Sequence, residues 1–390
     1  MKLTGHILKT VILNRGPMKI AEITTYKEGG AYTHAIELVK GLKSDTLIVT
    51  GNTKKTGYQH ENGYNYYHVP RLKSLWEIFF VNTPGSYKEL EELFLKEKID
   101  IVHFHSPLFT FIHGFLKKNK FPTIMTCHYL LEIKANDLTA NIYKQFIKKV
   151  TKYIGKKVDK IICVNEDYIP IFEKWKIPNE KLVFIPNGVD IKRFSPGKSK
   201  INERFKNKKI ILYFGRLHYQ KNVELLVRSF SLIKDKIKDV KLIIVGTGNQ
   251  YNKLKRMTDN NQDIVMTGFV SDKELVKYMR AADVVVFPSR GENASFTIME
   301  AMACGLPVVS SDVGNAKKIL GDDRGILMKD YTEKEIADIC IRVISDEKLK
   351  KKIGMDARDY VVKNHSWDKI SKQTEELYKR ILEGKEKYST

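Results

Sequence analysis

At 390 residues, 42% hydrophobic and 29% charged, the chain has the length for two or three domains and the composition of a soluble globular protein, and no apolar run approaches the roughly 18 residues that cross a bilayer. The 68 Lys and Arg against 46 Asp and Glu leave a formal charge of +22, so an anionic partner is expected: nucleic acid, an anionic membrane surface or an anionic small substrate. No stretch has the pattern of a DNA- or RNA-binding motif, which counts against the first, and charge alone does not separate the other two.

In chain order, residues 1–17 hold an apolar patch, Thr10–Leu13, interrupted by lysines and followed by no small-residue cleavage site. They read as an extension ahead of the first strand, with Met18 as an alternative start. From Lys19 onward strands alternate with helices, the pattern of parallel sheets with crossover helices. Strands are predicted at Lys19–Thr24, Thr46–Thr50, Asp100–His105, Pro122–Cys127, Lys160–Val164 and Leu182–Ile185, and a helix with Ala35, Leu38, Val39 and Leu42 on its apolar side. Asn187-Gly188 is a turn signal, and residues 194–200 read as a linker. The alternation then restarts with strands at Ile210–Phe214, Lys241–Val245, Ile264–Gly268, Asp283–Phe287 and Val308–Ser311. The expectation is an α/β protein of two Rossmann-like doubly wound domains facing a cleft, 1–196 and 197–365, with strand carboxyl ends toward that cleft. Residues 366–390 follow as a helix with one apolar side, at Trp367, Ile370, Leu377, Tyr378 and Ile381. Cys127, Cys163, Cys304 and Cys340 are widely spaced with no Cys-x-x-Cys pair, as expected for reduced, buried thiols of a cytosolic protein and not for a disulfide framework or a zinc site.

The most informative stretch runs from Asp283 to Asp312 and reads strand, loop, helix, strand. The helix, Phe296–Cys304, is apolar almost all round, with Asn293 or Ser295 placed to cap it and Gly305 and Pro307 to stop it. It contains one charge, Glu300, and a buried carboxylate without a partner costs several kcal/mol or takes up a proton. Glu292 precedes it in the loop, outside the helix mouth. Taken alone, the pair reads as a structural ion pair with a lysine and a solvated loop residue. Staggered about the positive end of a helix, the two acceptors also suit an elongated anionic ligand with hydroxyls at both ends.

Glu292, Glu300, Ala301, Met302, Ala303, Gly305, Pro307, Val308 and Val309 together resemble the signature of the family 4 retaining glycosyltransferases, which have the GT-B fold. The similarity extends from about Gly29 to Trp367. The resemblance implies transfer of a hexosyl unit from a UDP- or GDP-linked sugar to a hydroxyl acceptor with retention of configuration, without a metal ion or other cofactor; no Asp-x-Asp is present. It also assigns roles by position. Gly29-Gly30, between first strand and first helix, lies against the donor diphosphate, where the lack of Cβ permits close approach. Arg216 and Lys221, in YFGRLHYQKN, stabilise the leaving diphosphate. His128, in Thr-Cys-His, sits beside the donor sugar. Glu292 accepts from the hexose hydroxyls and Glu300 from the ribose. The backbone of Asn293, Ala294, Ser295 and Phe296 touches the sugar, and the turn at Phe269 holds the base. Asn293-Ala294-Ser295 departs from the Gly-Phe-Gly or Ser-Phe-Gly common there, which leaves the donor sugar open. In GT-B enzymes the final helix crosses back to the first domain, and Ser366-Trp367-Asp368 resembles the start of that crossing.

His103 and His105, on one face of their strand, take a structural or acceptor-side role. In the segment Tyr143–Lys160, Tyr143, Phe146, Ile147, Val150, Tyr153 and Ile154 recur at helical spacing among Lys144, Lys148, Lys149, Lys152, Lys156 and Lys157. It reads as a surface helix packing on the sheet, or as a face resting on anionic lipid, which suits a polyprenyl-linked, glycolipid or polysaccharide acceptor at the inner face of the membrane in cell-envelope glycan synthesis. Two other classes compete: an NAD-dependent oxidoreductase, from Val245-Gly246-Thr247-Gly248, although Tyr251 stands where the third glycine belongs, and a non-catalytic basic nucleic-acid-binding protein.

Overall fold

A computed structural model describes residues 17–24, 29–52, 56–70, 86–105, 116–117, 120–128, 130, 138–206, 208–291 and 296–384. The chain divides into two units, 1–186 with 370–390, and 187–369.

The first unit is built on eight strands: β1 (Lys19–Thr24), β2 (Asp45–Asn52), β3 (Gly57–Glu61), β4 (Tyr64–Pro70), β5 (Ile101–Phe104), β6 (Thr123–Cys127), β7 (Lys160–Cys163) and β8 (Leu182–Phe184). Their order across the sheet is β3-β4-β2-β1-β5-β6-β7-β8, parallel except for β3. The central strands are buried along their length, as their β-branched and apolar runs require when helices cover both faces. The β3–β4 hairpin was not among the expected strands. Its signal is Asn62-Gly63, both at positive φ (51° and 82°), the dipeptide that two-residue hairpin turns prefer. The helix Gly30–Gly41 buries His34, Ala35, Leu38 and Val39, neighbours on one helical face.

The helix Leu138–Lys157 divides its apolar residues. Ile154 is buried and Val150 half-buried, while Phe146 and Tyr153 are 47% and 40% exposed. The side chains of Tyr143 and Ile147 lie outside the described residues. No helix among the described residues is long and apolar enough to cross a membrane.

In the second unit β9 (Lys209–Phe214), β10 (Val240–Val245), β11 (Ile264–Gly268), β12 (Val284–Phe287), β13 (Val308–Ser311) and β14 (Ile326–Met328) form one sheet, ordered β11-β10-β9-β12-β13-β14. Every ladder is parallel. The chain winds outward from β9 to β11, then returns to β12 on the other side of β9. That reversal makes a crevice at the carboxyl ends of β9 and β12, where α/β sheets bind ligands. β14, three residues at the sheet edge, was not expected; it is too short to carry an alternating pattern.

The boundary between units falls at Pro186/Asn187, ahead of the linker read at 194–200. Val189 bridges Ser366, and its N–H donates to the His365 carbonyl at 2.7 Å, which ties residues just after the boundary to the end of the helix Glu347–His365. The last helix, Trp367–Glu383, begins in the second unit, and from Ile370 it belongs to the first. There Ile370 and Tyr378 are fully buried, and the Ser371 hydroxyl donates to the Leu38 carbonyl at 3.1 Å.

Candidate active site

β9 delivers two cations to the crevice. Beyond Phe214 the chain runs through Gly215 to a single 3-10 turn, Tyr219–Lys221, and enters the helix Val223–Lys236 after Asn222, held in the left-handed region (φ 51°). Arg216 is exposed and Lys221 half-buried. The loop is fixed from inside: the Tyr213 hydroxyl donates to the Arg216 carbonyl at 3.0 Å, and Leu217 N–H to the Thr247 carbonyl at 2.8 Å. Gln250 N–H returns to the Leu217 carbonyl at 2.9 Å.

This interlocking accounts for the glycines of Val245-Gly246-Thr247-Gly248. A Cβ on Gly246 would stand 2.0 Å from the Gly215 oxygen, and one on Gly248 2.4 Å from the Leu217 oxygen. Both residues also lie at positive φ, 137° and 153°. The two loops therefore touch backbone to backbone, and the glycines serve that contact. Gly248→Ala is expected to destabilise the second unit by on the order of 3 kcal/mol, because the obstruction is backbone and cannot swing away. A thermal melt matching the wild type would refute the contact.

The second wall of the crevice is the loop after β12, and it is fastened to the first. Arg290 N–H donates to the Gln220 carbonyl at 2.7 Å, and its guanidinium reaches the Tyr219 carbonyl at 3.2 Å while lying 4.2 Å over the Tyr219 ring. Glu292, Asn293, Ala294 and Ser295 lie outside the described residues. The chain is described again from Phe296, half-buried, which opens the helix Phe296–Ala303. Its mouth faces the β9 loop: a Cβ on Gly215 would lie 4.0 Å from Thr297 Cγ2.

Glu300 stands one turn into this helix. Burial pushes its carboxyl up to about 7, Asp272 adds to the rise and Arg193 opposes it. The cation that acts on Glu300 is therefore Arg193, not the lysine of the structural ion-pair alternative. Arg193 divides its charge, pairing with Asp190 at 3.2 Å and with Asp272 at 2.9 Å. Phe269, one residue past β11 on the same edge of the sheet, is 81% exposed.

In the first unit the equivalent edge lies at β1, β5 and β6. Gly29 (φ 86°) precedes the helix that Gly30 begins, and a Cβ on it would meet nothing within 4 Å. His128 follows β6 directly and is half-buried. Its ring stacks on His105 at 5.4 Å and meets His34 edge-on at 4.8 Å. Burial, together with the charges of His34, His105 and His103, holds His128 well below the ordinary imidazole range, so it is neutral near pH 7. His103 and His105 do share a face, and both turn inward onto Glu22 on β1.

The carboxyl edge of the second sheet thus carries Arg216, Lys221, Phe269, Phe296 and Glu300, and that of the first carries Gly29, Gly30 and His128. Arg193, Arg290, His34 and Glu22 were missed. Glu22 was legible by the reasoning applied to Glu300, being the lone carboxylate of a buried strand; the others lack any local pattern. A cavity of about 480 Å³ lined by Asp283, Pro307, Glu347 and Lys350 opens at the amino ends of β12 and β13, away from these residues, and its Lys350 is already paired with Asp283 at 2.7 Å and Glu347 at 2.8 Å. Cys127, Cys163, Cys304 and Cys340 are buried free thiols.

Comparison with known proteins bears on the family and the fold. The family model of the glycosyl transferases group 1 matches residues 195–360, and that of glycosyltransferase family 4 matches residues 28–193. An uncharacterized glycosyltransferase of Methanocaldococcus jannaschii is 28% identical over 382 residues, covering 91% of this chain and 95% of its own. The phosphatidylinositol N-acetylglucosaminyltransferase GPI3 subunit of Saccharomyces cerevisiae is 24% identical over 368 residues, 90% of this chain and 80% of its own. Among solved structures, Anabaena HepE in complex with UDP superposes with a TM-score of 0.76 at 18% identity, covering 93% of this chain and 100% of that one. The chain belongs to the family 4 glycosyltransferases of GT-B fold, and it is a nucleotide-sugar glycosyltransferase. Neither the oxidoreductase nor the nucleic-acid-binding reading finds support in these comparisons.

Proposed function

We propose that the protein transfers a hexosyl unit from a nucleoside diphosphate sugar to a hydroxyl acceptor with retention of configuration, and that Arg216 and Lys221 take the place of a divalent cation on the leaving diphosphate. One observation carries the reading: the loop bearing both cations is fastened to Arg290 beyond β12, and the helix that carries Glu300 opens against the same loop at Gly215, at the reversal point of the second sheet. As the glycosidic bond breaks, negative charge accumulates on the diphosphate. A cation about 4 Å away gains on the order of 4 kcal/mol from a full charge at an effective dielectric near 20. Only the part of that gain that grows along the reaction accelerates it. Glu300 accepts a ribose hydroxyl, Glu292 the sugar hydroxyls, and the backbone at Phe269 and at Asn293–Phe296 lines the base and sugar. Gly29 and Gly30, at the mouth of a helix in the first unit, keep the diphosphate-binding role that the family pattern implies.

The acceptor is proposed to be lipid-linked, used at the inner face of a membrane by a cytoplasmic enzyme. Phe146 and Tyr153 stand exposed among exposed Lys148, Lys149, Lys156 and Lys157, a composition that binds anionic interfaces. The similarity to a phosphatidylinositol-glycosylating subunit supports the same class.

The test is a thermal-shift panel of UDP- and GDP-linked hexoses with and without EDTA, followed by transfer to lipid-linked acceptors in anionic and in neutral vesicles. A donor at about 100 times its Kd adds about 2.7 kcal/mol of stability. The expected result is one donor class that shifts the melt equally with EDTA, and transfer favoured by anionic vesicles. A shift by NADH and by no nucleotide sugar would overturn the reading.

A further inference from the structure

Beneath His128 lies a closed set of buried polar groups that the proposed reaction does not use. Glu22, His103 and His105 are 0%, 0% and 1% exposed, and Tyr378 of the last helix is fully buried beside them. His105 Nε2 lies 2.6 Å from Glu22 Oε2, and His105 Nδ1 lies 3.2 Å from His128 Nε2. On the other carboxylate oxygen the Tyr378 hydroxyl donates to Glu22 Oε1 at 2.7 Å. His103 Nδ1 lies 2.6 Å from the Tyr378 oxygen and 3.1 Å from Glu22 Oε2, while its Nε2 lies 2.7 Å from the Thr126 hydroxyl.

Glu22, His103 and His105 have the composition of a metal site, with ligand atoms within 4.8 Å of one another. The spacing is that of shared protons, however. Ligands at about 2.1 Å from a tetrahedral ion stand about 3.4 Å apart, whereas Glu22 and His105 are in contact at 2.6 Å.

Counting donors then fixes each proton. An ionised Glu22 only accepts, so the neutral His105 presents Nε2–H to it and keeps a bare lone pair on Nδ1. That lone pair faces His128 Nε2, which must supply the proton. A neutral imidazole carries one N–H, so His128 Nδ1 is left as an acceptor. The electrostatics agree: burial works to raise the Glu22 carboxyl, yet His103 and His105 outweigh it and hold it well below the usual carboxylate range. Burial and the charge of His103 lower His105, against the pull of Glu22.

We propose that Glu22 and His105 are positioning residues that lock His128 in its Nε2–H tautomer, leaving Nδ1 to accept a hydrogen bond from a substrate hydroxyl. The role of the substrate rests on the transferase reading, whereas the tautomer does not. Tyr378 and His103 fill the remaining acceptor sites of the carboxylate, so the last helix completes the network without lying on the path to His128. The chain Glu22–His105–His128 acts as outer-shell carboxylates do on ligating imidazoles, fixing ring orientation and tautomer together.

The experiment is two-bond 15N–1H correlation on histidine-labelled full-length protein at pH 7.5, without substrate. The wild type is expected to show His128 protonated at Nε2 and bare at Nδ1, and His105 likewise. In Glu22→Leu, His105 loses the acceptor for its Nε2–H, shifts its proton to Nδ1 and turns His128 to Nδ1–H. Tyr378→Phe keeps the wild-type tautomers, and it separates the lock from general loosening should Glu22→Leu not fold. In transfer assays Glu22→Leu is expected to lose about tenfold or more in kcat/KM, and Tyr378→Phe only a few-fold. His128 found as Nδ1–H or as imidazolium in the wild type overturns the proposal. Wild-type tautomers retained in a folded Glu22→Leu overturn it equally. Because the spectra need no substrate, their failure is distinguishable from a failure of donor binding, which the thermal-shift panel reads.

Discussion

Lys221→Ala is expected to lower kcat by about a hundred- to a thousandfold while the melting temperature moves little. The magnitude is that of removing one preorganised electrostatic contact to developing charge. Lys221 ends the 3-10 turn whose carbonyls receive Arg290, yet that anchoring runs through the backbone of Gln220 and Tyr219. Truncating the lysine side chain leaves it in place, so the fold is expected to survive. Donor KM should change much less than kcat, because the interaction strengthens as the diphosphate departs. Single-turnover kinetics with a saturating donor separates the two, and near-wild-type turnover would remove Lys221 from the chemistry.

Glu300→Gln is expected to do two opposite things: stabilise the free protein at alkaline pH and weaken donor binding. The native carboxyl is raised from an ordinary 4.5 to about 7. A carboxylate raised in this way costs nothing below pH 4.5, where it is protonated in both states. The cost grows as pH rises and is complete above about 7. At 1.36 kcal/mol per pH unit, the rise from 4.5 to about 7 amounts to roughly 3 to 4 kcal/mol. The uncharged amide escapes it, so the variant should melt about 7 to 14 °C higher than wild type at pH 8.5 and show no such gain at pH 4.5. Loss of a charged acceptor for a hydroxyl should meanwhile weaken nucleoside diphosphate binding about ten- to a hundredfold. Calorimetric titration at pH 8.5 checks the second effect. Equal melts at pH 8.5, or undiminished affinity, would show that Glu300 is a solvated structural residue.

The two effects have one origin. The helix Phe296–Ala303 is packed as a core element, with Ile298, Met299, Ala301, Met302 and Ala303 buried. A carboxylate in that setting is poorly solvated, and Arg193, shared with Asp190 and Asp272, compensates it only in part. A site that stores this cost gains more when a ligand supplies hydrogen-bond donors, because a hydrogen bond to a charge is stronger away from water.

The strands of both sheets were legible because each central strand is a short apolar, β-branched run between polar breaks, and Lys19–Thr24, Ile264–Gly268 and Val308–Ser311 fall where expected. The β3–β4 hairpin was overlooked although Asn62-Gly63 announced it, since its strands alternate weakly and β3 is half exposed. The basic helix illustrates a limit of periodicity. Phe146 and Tyr153 share the spacing of Ile154, yet only Ile154 is buried, because a helical period does not say how wide a stripe the neighbours cover.

The sequence alone determined the doubly wound architecture, the signature around Glu300 and the loop carrying Arg216 and Lys221, because each is written in local residue order that hydrophobic burial and turn geometry translate directly. Tertiary structure alone decided that Arg193 and not a lysine is the cation acting on Glu300, that the paired glycines at 246 and 248 serve a loop contact, and that Glu22, His105 and Tyr378 gather under His128. Those pairings join residues up to 356 positions apart, and at such separations it is the packing of whole elements, not any local spacing, that sets which charges and lone pairs meet.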